Sequence, residues 1–420
     1  MPQTDEVDLD ITNVAHGGVF VARHEGRVVF VPDTIPGERI RARVTDRKHD
    51  SFWRAEAIEI VEAAPERQKH IWDAASIDRA PDARAGGAEF GHIRLDHQRE
   101  LKRQVLVDAL QRMAKLESDV TVEPVGGETA DGTGWRTRVR LQVGAGGEFG
   151  PFAARSHHVV PVTDLPLADA AVAATVPYGQ TFPGAESIDV VATSAGAEHV
   201  LVNEAPVKRG KRIVRPRYRP MPIRETVGDR EFQLDLRGFW QVHRRAAATL
   251  TEAVQSAVDE ALFDPRAANL DLYGGVGLLA AALGDRFGST LRITSVESDE
   301  RATDYAAENL SEWLGAQAVT DRVEKFVAQL ASTASAADRS RLKAATVVLD
   351  PPRSGAGRAV VDALASLAPA QIVYVACDPV ALARDVASFA GHGYGVRTLR
   401  AFDLFPNTHH VEAVATLTPQ

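Results

Sequence analysis

The sequence predicts an α/β fold in three parts: a small closed β-barrel, a β-rich middle region, and a mostly parallel sheet covered by helices. Residues 6–62 alternate apolar and polar side chains in short runs between turns, which is typical of a small barrel. From about residue 236, strand-like and helix-like segments alternate, which indicates parallel strands joined by helices. We therefore expect three domains, spanning residues 1–64, 65–235 and 236–420.

The composition excludes several classes of protein. The 420 residues include 45% hydrophobic and 25% charged side chains, which is ordinary for a globular protein of two or three domains. No apolar run approaches the roughly 20 residues that span a bilayer, and the polar amino terminus has no signal-peptide core. We therefore expect a cytoplasmic protein without membrane contact. A single cysteine fits a reducing compartment and excludes a disulfide framework and a cysteine-ligated metal cluster, so we expect no metal.

Charge gives weaker information about partners. The net charge of −9 argues against a surface coated with nucleic acid, because phosphate binding requires cations. A basic run over residues 207–219 is a local exception. It is either a solvated loop or a nucleic-acid contact.

The first two regions contain recognisable elements. In the barrel region, strand-like segments such as 17–22 and 27–32 are separated by turns rich in glycine, proline and charge. A boundary is plausible at residues 63–67. Beyond it, residues 96–116 have apolar side chains at helical spacing, and residues 135–143 alternate as a strand does.

The last region opens with a pattern that suits a nucleoside ligand. A strand at 269–273 runs into the glycine turn 274–277, where the backbone can approach a ligand and the following helix offers free N–H groups. A second strand, 291–296, ends in Glu297, an acid placed to accept hydrogen bonds from ribose hydroxyls. The pattern fits either a dinucleotide or S-adenosylmethionine.

Two observations favour S-adenosylmethionine. Asp271 opens the glycine turn, and a loop that binds pyrophosphate would avoid a carboxylate beside two phosphates. The strand 346–349 ends in Asp350-Pro351-Pro352-Arg353, where rigid prolines hold one edge of a pocket. A tight turn without function is the alternative interpretation of that segment.

The only cysteine, Cys377, follows the apolar run 372–375, which is typical of a buried strand. In an open α/β sheet, ligands bind at the carboxyl ends of the strands. A cysteine there can act as a nucleophile once it becomes a thiolate. The alternative is a small buried hydrophobic residue.

Together these motifs resemble the RNA uracil-C5 methyltransferase family, and the amino-terminal barrel resembles the TRAM domain, an RNA-binding barrel. The resemblance covers essentially the whole chain. Besides the glycine turn, Glu297 and Asp350-Pro-Pro-Arg353, it is carried by residues 238–243, 377–379, 384–385 and 405–412. It implies a class I, Rossmann-like methyltransferase domain, S-adenosylmethionine as cofactor, RNA as partner, and an RNA-facing role for the middle region.

The resemblance also implies roles for individual residues. Cys377 would add to C6 of uracil as a thiolate, and Glu412 would remove the proton from C5 after methyl transfer. A charged residue on an edge strand is the alternative for Glu412. The cofactor contacts that the resemblance implies are Gln241, Tyr273, Gly275, Glu297, Gln329 and Asp350. The substrate contacts are Arg353, Arg384, Phe405 and His410.

The chain departs from the family pattern at several positions. Many members carry four cysteines for an iron–sulfur cluster, where this chain has Ala85, Ala88 and, near a later cysteine, Asp164. We therefore expect no cluster. Asp378 and His243 stand where the family usually has asparagine, and neither change removes a group that the chemistry requires.

The leading hypothesis is S-adenosylmethionine-dependent formation of 5-methyluridine in RNA, on a single-stranded or flipped uridine. Ribosomal RNA is favoured because of the barrel, which is an argument by fold analogy. No obligate protein partner is evident. The alternatives are a transfer-RNA methyltransferase, an N-methyltransferase acting on another substrate, and a non-catalytic RNA-binding protein. Arg353 argues against the N-methyltransferase, since an aromatic residue follows Asp-Pro-Pro in such enzymes.

Overall fold

A computed structural model describes residues 6–49, 51–154, 156–209, 212–214 and 218–420. Part of the basic run, namely Gly210, Lys211 and residues 215–217, lies outside the described residues. Over the described ranges, no helix combines the length and the apolar character that crossing a membrane requires.

The amino-terminal strands form a closed five-stranded barrel, which confirms the prediction. The strands are β1 (Glu6–Ala15), β2 (Val19–His24), β3 (Arg27–Val31), β4 (Arg39–Asp46) and β5 (Phe52–Glu62). They are ordered β1-β2-β3-β5-β4, and β4 pairs back onto β1. Alternate residues of β4 are buried, as the period of a strand requires. Phe90, Ile93 and Leu101 from the next region complete the barrel core.

The middle region combines one long helix with small antiparallel sheets. Its elements are α1 (Leu95–Ala109), a π-helical turn (Leu110–Ala114), β6 (Val122–Glu123), β7 (Arg138–Val143), β8 (Phe149–Gly150), α2 (Ala170–Thr175), β9 (Ala185–Ala192), β10 (Glu198–Glu204), β11 (Val207–Arg209), β12 (Arg212–Val214), β13 (Pro222–Val227) and β14 (Arg230–Asp235). One sheet has the order β10-β9-β7-β8, and the pairs β11-β12 and β13-β14 form separate hairpins. Two short 3-10 turns, Asp73–Ala75 and Pro81–Ala83, precede α1.

The carboxy-terminal region is an eight-stranded sheet with covering helices, which confirms the predicted α/β class. Its elements are α3 (Ala246–Ala257), β15 (Asn269–Leu272), α4 (Leu278–Phe287), β16 (Arg292–Glu297), α5 (Glu300–Asn309), β17 (Gly315–Thr320), α6 (Val323–Thr333), α7 (Ala336–Lys343), β18 (Thr346–Leu349), α8 (Arg358–Leu367), β19 (Gln371–Ala376), α9 (Pro379–Ala390), β20 (Tyr394–Phe402) and β21 (Glu412–Pro419). The order is β17-β16-β15-β18-β19-β21-β20-β6. The strands β15, β18 and β19 are buried along nearly their whole length, as expected for parallel strands covered on both faces.

The middle region contributes directly to this large sheet. Strand β6 adds to its edge in parallel with β20, and α1 packs against α9. Lys102 of α1 donates to Asp403 Oδ1 over 2.5 Å, and both side chains are fully buried. The division of the chain after residues 64 and 235 stays a prediction, because packing and ion pairs cross from the middle region to both neighbours.

The segments that follow the parallel strands lie together at one edge of the large sheet. The parallel strands β15, β16, β18 and β19 all end at this edge. Strand β21 runs antiparallel to β19, with Ala413 opposite Ala376, so β21 begins where β19 ends. Residues that follow the parallel strands therefore meet the residue that opens β21.

Candidate active site

A cavity of about 1100 Å³ opens at this edge of the sheet. The location agrees with the general rule that open α/β sheets bind ligands beyond the carboxyl ends of their strands. Ten of the twelve site residues predicted from the sequence line it: Gln241, Tyr273, Gly275, Glu297, Asp350, Arg353, Cys377, Phe405, His410 and Glu412.

The glycine turn after β15 forms one wall of the cavity. Tyr273 has φ +64, a conformation that is uncommon for a residue with a side chain and that recurs at ligand sites. Gly275 has φ +54, and a Cβ there would meet no atom within 4 Å, so its backbone faces open space. At Gly274 a Cβ would collide with Ser295 Oγ and Asp271 Oδ2, and only glycine fits.

Glu297 ends β16 with its carboxylate held by backbone N–H groups. Its Oε1 accepts from the N–H of Ser298 at 2.5 Å and of Asp299 at 2.9 Å, and Oε2 accepts from the N–H of Gly275 at 3.3 Å. These bonds tie the acid to the glycine turn. The carboxylate is only partly buried and is placed to accept further bonds from a ligand diol.

Two acidic groups lie side by side behind the turn. Burial raises the pKa of Asp350 to about 7, and the charge of Asp271 adds to the rise. Burial also raises the pKa of Asp271 to about 6, although Ser295 Oγ donates to Asp271 Oδ2 over 2.9 Å and opposes the rise. Asp350 lines the cavity and Asp271 is buried behind it, so their raised pKa values mark a place where a positively charged group would be stabilised.

Cys377 and Glu412 lie next to these acids. Burial, followed by the charges of Glu412 and Asp350, raises the pKa of the Cys377 thiol to about 12, while the charge of Arg353 acts to lower it. Glu412 is buried, and burial together with Asp350 raises its pKa well above the usual range. The thiol is therefore neutral near pH 7, and the carboxylate of Glu412 is an unusually strong base for its type.

Arginine, histidine and phenylalanine side chains form the opposite wall. Burial, then the charges of His409 and Arg353, lower the pKa of His410 to about 3. His410 is consequently neutral, and its Nε2 accepts from Arg353 Nη2 at 3.2 Å. The ring of Phe405 lies 5.7 Å from the ring of His410 and 6.0 Å from that of Trp135. The planes of these rings are steeply inclined, at 70° between Phe405 and His410 and 81° between Phe405 and Trp135, so the wall combines ring faces, ring edges and polar groups.

The structure does not bring two predicted residues to the cavity. Gln329 lies on an exposed face of α6, whereas Val323 and Glu324, at the start of that helix, line the cavity. Arg384 is partly exposed and donates to the carbonyl of Ser354 at 2.5 Å and to Asp385 Oδ1 at 3.1 Å. It supports the loop after Arg353 and does not line the cavity.

Other lining residues were not predicted from the sequence. Arg136 and Glu89 reach the cavity from the middle region, and Phe239 and Arg237 reach it from the segment before α3. Phe239 is 72% exposed, which is unusual for a large aromatic side chain outside a binding site. Residues 135–143 alternate arginine and apolar side chains in the sequence, but this pattern does not indicate that Arg136 faces the cavity.

The two residues that depart from the family pattern have structural partners. The ring of His243 stacks on Trp135 with 5.5 Å between centroids, and its Nδ1 accepts from the N–H of Arg245 at 3.0 Å. Asp378 caps α9, because its Oδ1 accepts from the N–H groups of Val380 at 3.0 Å and Ala381 at 2.8 Å.

The segment around residue 85 is filled by apolar packing. Ala85 and Ala88 belong to one buried cluster with Trp72 and Trp135. Trp72 Nε1 donates to Asp164 Oδ1 over 2.9 Å, so a tryptophan that packs in the cluster of Ala85 and Ala88 is hydrogen-bonded to the later position. Across the part of the chain that the structure describes, no group of three or more His, Cys, Asp and Glu side chains could hold a metal ion.

The cavity residues suit S-adenosylmethionine. Asp350, with Asp271 behind it, supplies negative charge for a ligand that carries an ammonium and a sulfonium. Glu297 offers carboxylate oxygen to a ribose diol, and Gly275 leaves room for close approach of the backbone. Gln241 and Tyr273 line the same part of the cavity.

Comparison with family models gives two matches. The model described as tRNA (Uracil-5-)-methyltransferase matches residues 246–419, and the model of the TRAM domain matches residues 3–57. The first covers the large sheet from α3 to β21, and the second covers most of the barrel.

Similar proteins extend over the full chain. A protein of Streptomyces avermitilis described as an uncharacterized RNA methyltransferase is 37% identical, over 99% of this chain and 98% of that protein. A Corynebacterium diphtheriae protein with the same description is 32% identical, over 98% and 96%. Among solved structures, the Pyrococcus abyssi tRNA (uracil-54, C5)-methyltransferase in complex with S-adenosyl-L-homocysteine has a TM-score of 0.69 at 21% identity, covering 98% of this chain and 100% of that one.

Proposed function

The chain belongs to the family of S-adenosylmethionine-dependent RNA (uracil-5-)-methyltransferases, and from this premise we propose that it forms 5-methyluridine by covalent catalysis through Cys377. The observation that carries the proposal is the adjacency of Cys377 and Glu412 on one cavity with Asp350. The antiparallel pairing of β19 and β21 brings together a nucleophile and a base that are distant in sequence.

The proposed steps follow from the reactivity of uracil. The Cys377 thiol releases its proton to solvent, the resulting thiolate forms a bond to C6, and the electrons of the C5–C6 double bond move toward O4, which makes C5 nucleophilic. When bound, S-adenosylmethionine would supply the methyl group that bonds to C5 and would leave as S-adenosylhomocysteine. Glu412 then takes the proton from C5, the C5–C6 double bond forms again, and the bond between C6 and Cys377 breaks.

Neighbouring side chains support these roles. Arg353 is the positive charge that acts to lower the pKa of Cys377, and it is held at 3.2 Å from neutral His410. The high pKa of Glu412 suits a group that must take a proton and later release it. Phe405 and His410 line the cavity with their rings inclined by 70°, so that an extruded uracil stacked on one ring would meet the edge of the other.

The barrel supports RNA as the substrate class. The guanidinium groups of Arg27 and Arg47 each lie 5.0 Å from the ring of Trp53. An aromatic ring flanked by arginines is a common platform for nucleic-acid bases and phosphates. The basic segment that includes residues 207–209 and 212–214 is a second candidate contact.

Ribosomal RNA is the proposed target and transfer RNA is the second candidate. Ribosomal RNA is favoured because the chain has the amino-terminal barrel, which is an argument by fold analogy. The Pyrococcus abyssi enzyme, described as acting on tRNA, matches over the whole chain, so an RNA barrel of this kind does not by itself separate the two substrates.

Release of tritium tests the proposed chemistry. We expect the protein to release tritium from [5-³H]uridine RNA in the presence of S-adenosylmethionine, and Cys377→Ala to release none while still binding the cofactor by calorimetry. Methyl transfer to RNA by Cys377→Ala at the wild-type rate would contradict the proposal and indicate an N-methyltransferase.

The target RNA can be identified by a separate experiment. Mass spectrometry of ribosomal and transfer RNA from a deletion strain should show loss of one 5-methyluridine in ribosomal RNA. Loss confined to transfer RNA would replace the proposed target with the second candidate.

A further inference from the structure

The turn between β1 and β2, residues 16–18, reaches from the barrel to the loop that carries Cys377. His16 Nε2 lies 2.7 Å from Asp378 Oδ2, within hydrogen-bond distance. The other oxygen of Asp378 caps α9, so one carboxylate joins the barrel to the helix that begins directly after Cys377. The side chain of His16 is 47% exposed and that of Asp378 only 19%, so the contact is partly shielded from solvent.

The same turn also contacts the loop that precedes Glu412. A Cβ at Gly18 would lie 2.9 Å from the side chain of His409, so the turn packs against that ring. The ring of His409 lies 4.0 Å from that of His410, which accepts from Arg353. A chain of direct contacts therefore leads from the barrel to both loops of the active site.

A second, smaller cavity lies between the turn and these loops. It has a volume of about 220 Å³, and Cys377 lines it as well as the large cavity. His16, Gly17 and Gly18 form the barrel side of this space. The turn is thus one wall of a space that Cys377 also lines.

We propose that the barrel turn 16–18 is a positioning element of the active site, in which His16 acts through Asp378 to hold the Cys377 loop. The inference rests on the proposed function in that Cys377 is taken as the nucleophile. The His16–Asp378 contact would then link the barrel, which binds RNA, to the loop that carries Cys377.

The chemistry of the pair suits this role. A hydrogen bond between a charged carboxylate and an imidazole is stronger than a neutral one, and charge assistance favours a short bond. The hydrogen bond to Asp378 raises the pKa of His16. Asparagine at position 378, the usual family residue, would keep the helix cap but would have no charge to share with His16.

A double-mutant cycle tests the proposal. The variants are His16→Gln, Asp378→Asn and the combination, assayed for kcat and KM with uridine RNA. The rate of alkylation of Cys377 by iodoacetamide is measured in parallel, and it reports only this thiol because the chain has a single cysteine. The matched control is His392→Gln, which removes a His–Asp contact of the same 2.7 Å length, between His392 and Asp362, on another part of the surface.

We expect His16→Gln to lower kcat about fivefold with little change in KM. In the Asp378→Asn background, the same substitution should change kcat by less than about twofold, because the effects of substitutions at contacting residues are coupled. His392→Gln should leave both constants unchanged. Independent effects of the two variants would overturn the proposal, as would a change in KM alone, because the turn would then only bind RNA.

The alkylation rates separate this proposal from the proposed function. If the wild-type protein releases no C5 tritium, the proposed function fails. The positioning role of the turn is then tested by the alkylation rates, in which the effects of His16→Gln and Asp378→Asn should still be coupled. Additive or absent effects on alkylation in that case would reject the positioning role.

Discussion

At the scale of single residues, burial and then the neighbouring carboxyl groups disfavour the thiolate form of Cys377. Burial and the nearby Glu412 and Asp350 raise the pKa of the thiol to about 12. Below that value the thiolate fraction rises tenfold with each pH unit. We therefore expect the rate of iodoacetamide alkylation of the free protein to keep rising from pH 7 to 9.5 without a plateau, and most steeply once Asp350 is ionised.

A single substitution tests the cause of the raised pKa. Asp350 is ionised at pH 9, because its own pKa is about 7. Asp350→Asn should therefore lower the pKa of Cys377 and speed alkylation at pH 9 by severalfold, roughly threefold or more. Asp362→Asn, at an exposed carboxylate, is the control and should have no effect. A plateau near pH 8.5 in the wild-type protein would show that the thiol is not perturbed.

Glu412 permits a prediction about a trapped intermediate. Without a base, the C5 proton stays in place after methylation and Cys377 cannot leave C6. We expect Glu412→Gln to lower turnover by a factor on the order of 10² to 10⁴ and to accumulate a covalent adduct with RNA, seen as a shifted band on a denaturing gel. Adding Cys377→Ala to the same protein should abolish the band. A fully active Glu412→Gln variant would assign the proton transfer to another group.

At the scale of elements, the glycine turn after β15 depends on close packing behind it. A side chain at Gly274 would collide with Ser295 and Asp271, which are both buried. We expect Gly274→Ala to lower the free energy of unfolding by about 1–3 kcal/mol and to weaken binding of S-adenosylmethionine, measured by urea unfolding and calorimetry.

Gly391, at the end of α9, is the matched control for that substitution. It has φ −61, and the nearest atom to an added Cβ is 3.3 Å away. Gly391→Ala should be nearly neutral for stability and for cofactor binding. Equal effects at the two positions would mean that Gly274 is not specially constrained.

Elements with a strong local pattern were predictable from the sequence. The barrel strands and the helix α1 follow periodicities, and the strands before Tyr273 and Asp350 are short runs buried on both faces. Both patterns depend on neighbouring residues only. Gln329 was placed by resemblance to a family position. The structure has α6 starting at Val323, and Gln329 lies beyond the first turn on an exposed face, so the cavity is lined by Glu324 instead.

At the scale of the whole molecule, Arg84 joins the barrel to the middle region. It is 5% exposed, and it donates to Asp33 Oδ2 at 2.8 Å and to the carbonyls of Arg79, Ala57 and Ile77. Arg84→Ala leaves these acceptors without a donor. We expect a loss of about 3 kcal/mol in the free energy of unfolding.

Arg94→Ala is the control for Arg84, because the Arg94 side chain is 55% exposed in its ion pair with Asp96. An exposed pair contributes about 0–1 kcal/mol, and the control should fall in that range. Similar losses for the two variants, measured by urea unfolding, would contradict a structural role for the buried arginine.

Contacts between distant parts of the chain could not be predicted from the sequence. Nothing local indicates that β6 joins the large sheet, that Arg136 faces the cavity, or that His16 meets Asp378. Each depends on how three regions pack together. The sequence therefore predicted which residues gather at the carboxyl edge of the large sheet, and it did not predict what the first two regions add there. The catalytic roles of these residues stay a prediction.

The pairing of β19 with β21 has a consequence for how such a protein can diverge. Cys377 and Glu412 each lie one residue beyond the opposed pair Ala376 and Ala413, so a strand ladder determines their spacing. The turn between α9 and β20, residues 391–393, lies in the chain between them but outside that ladder. Insertions there can lengthen the chain over generations while the two reactive groups keep their separation.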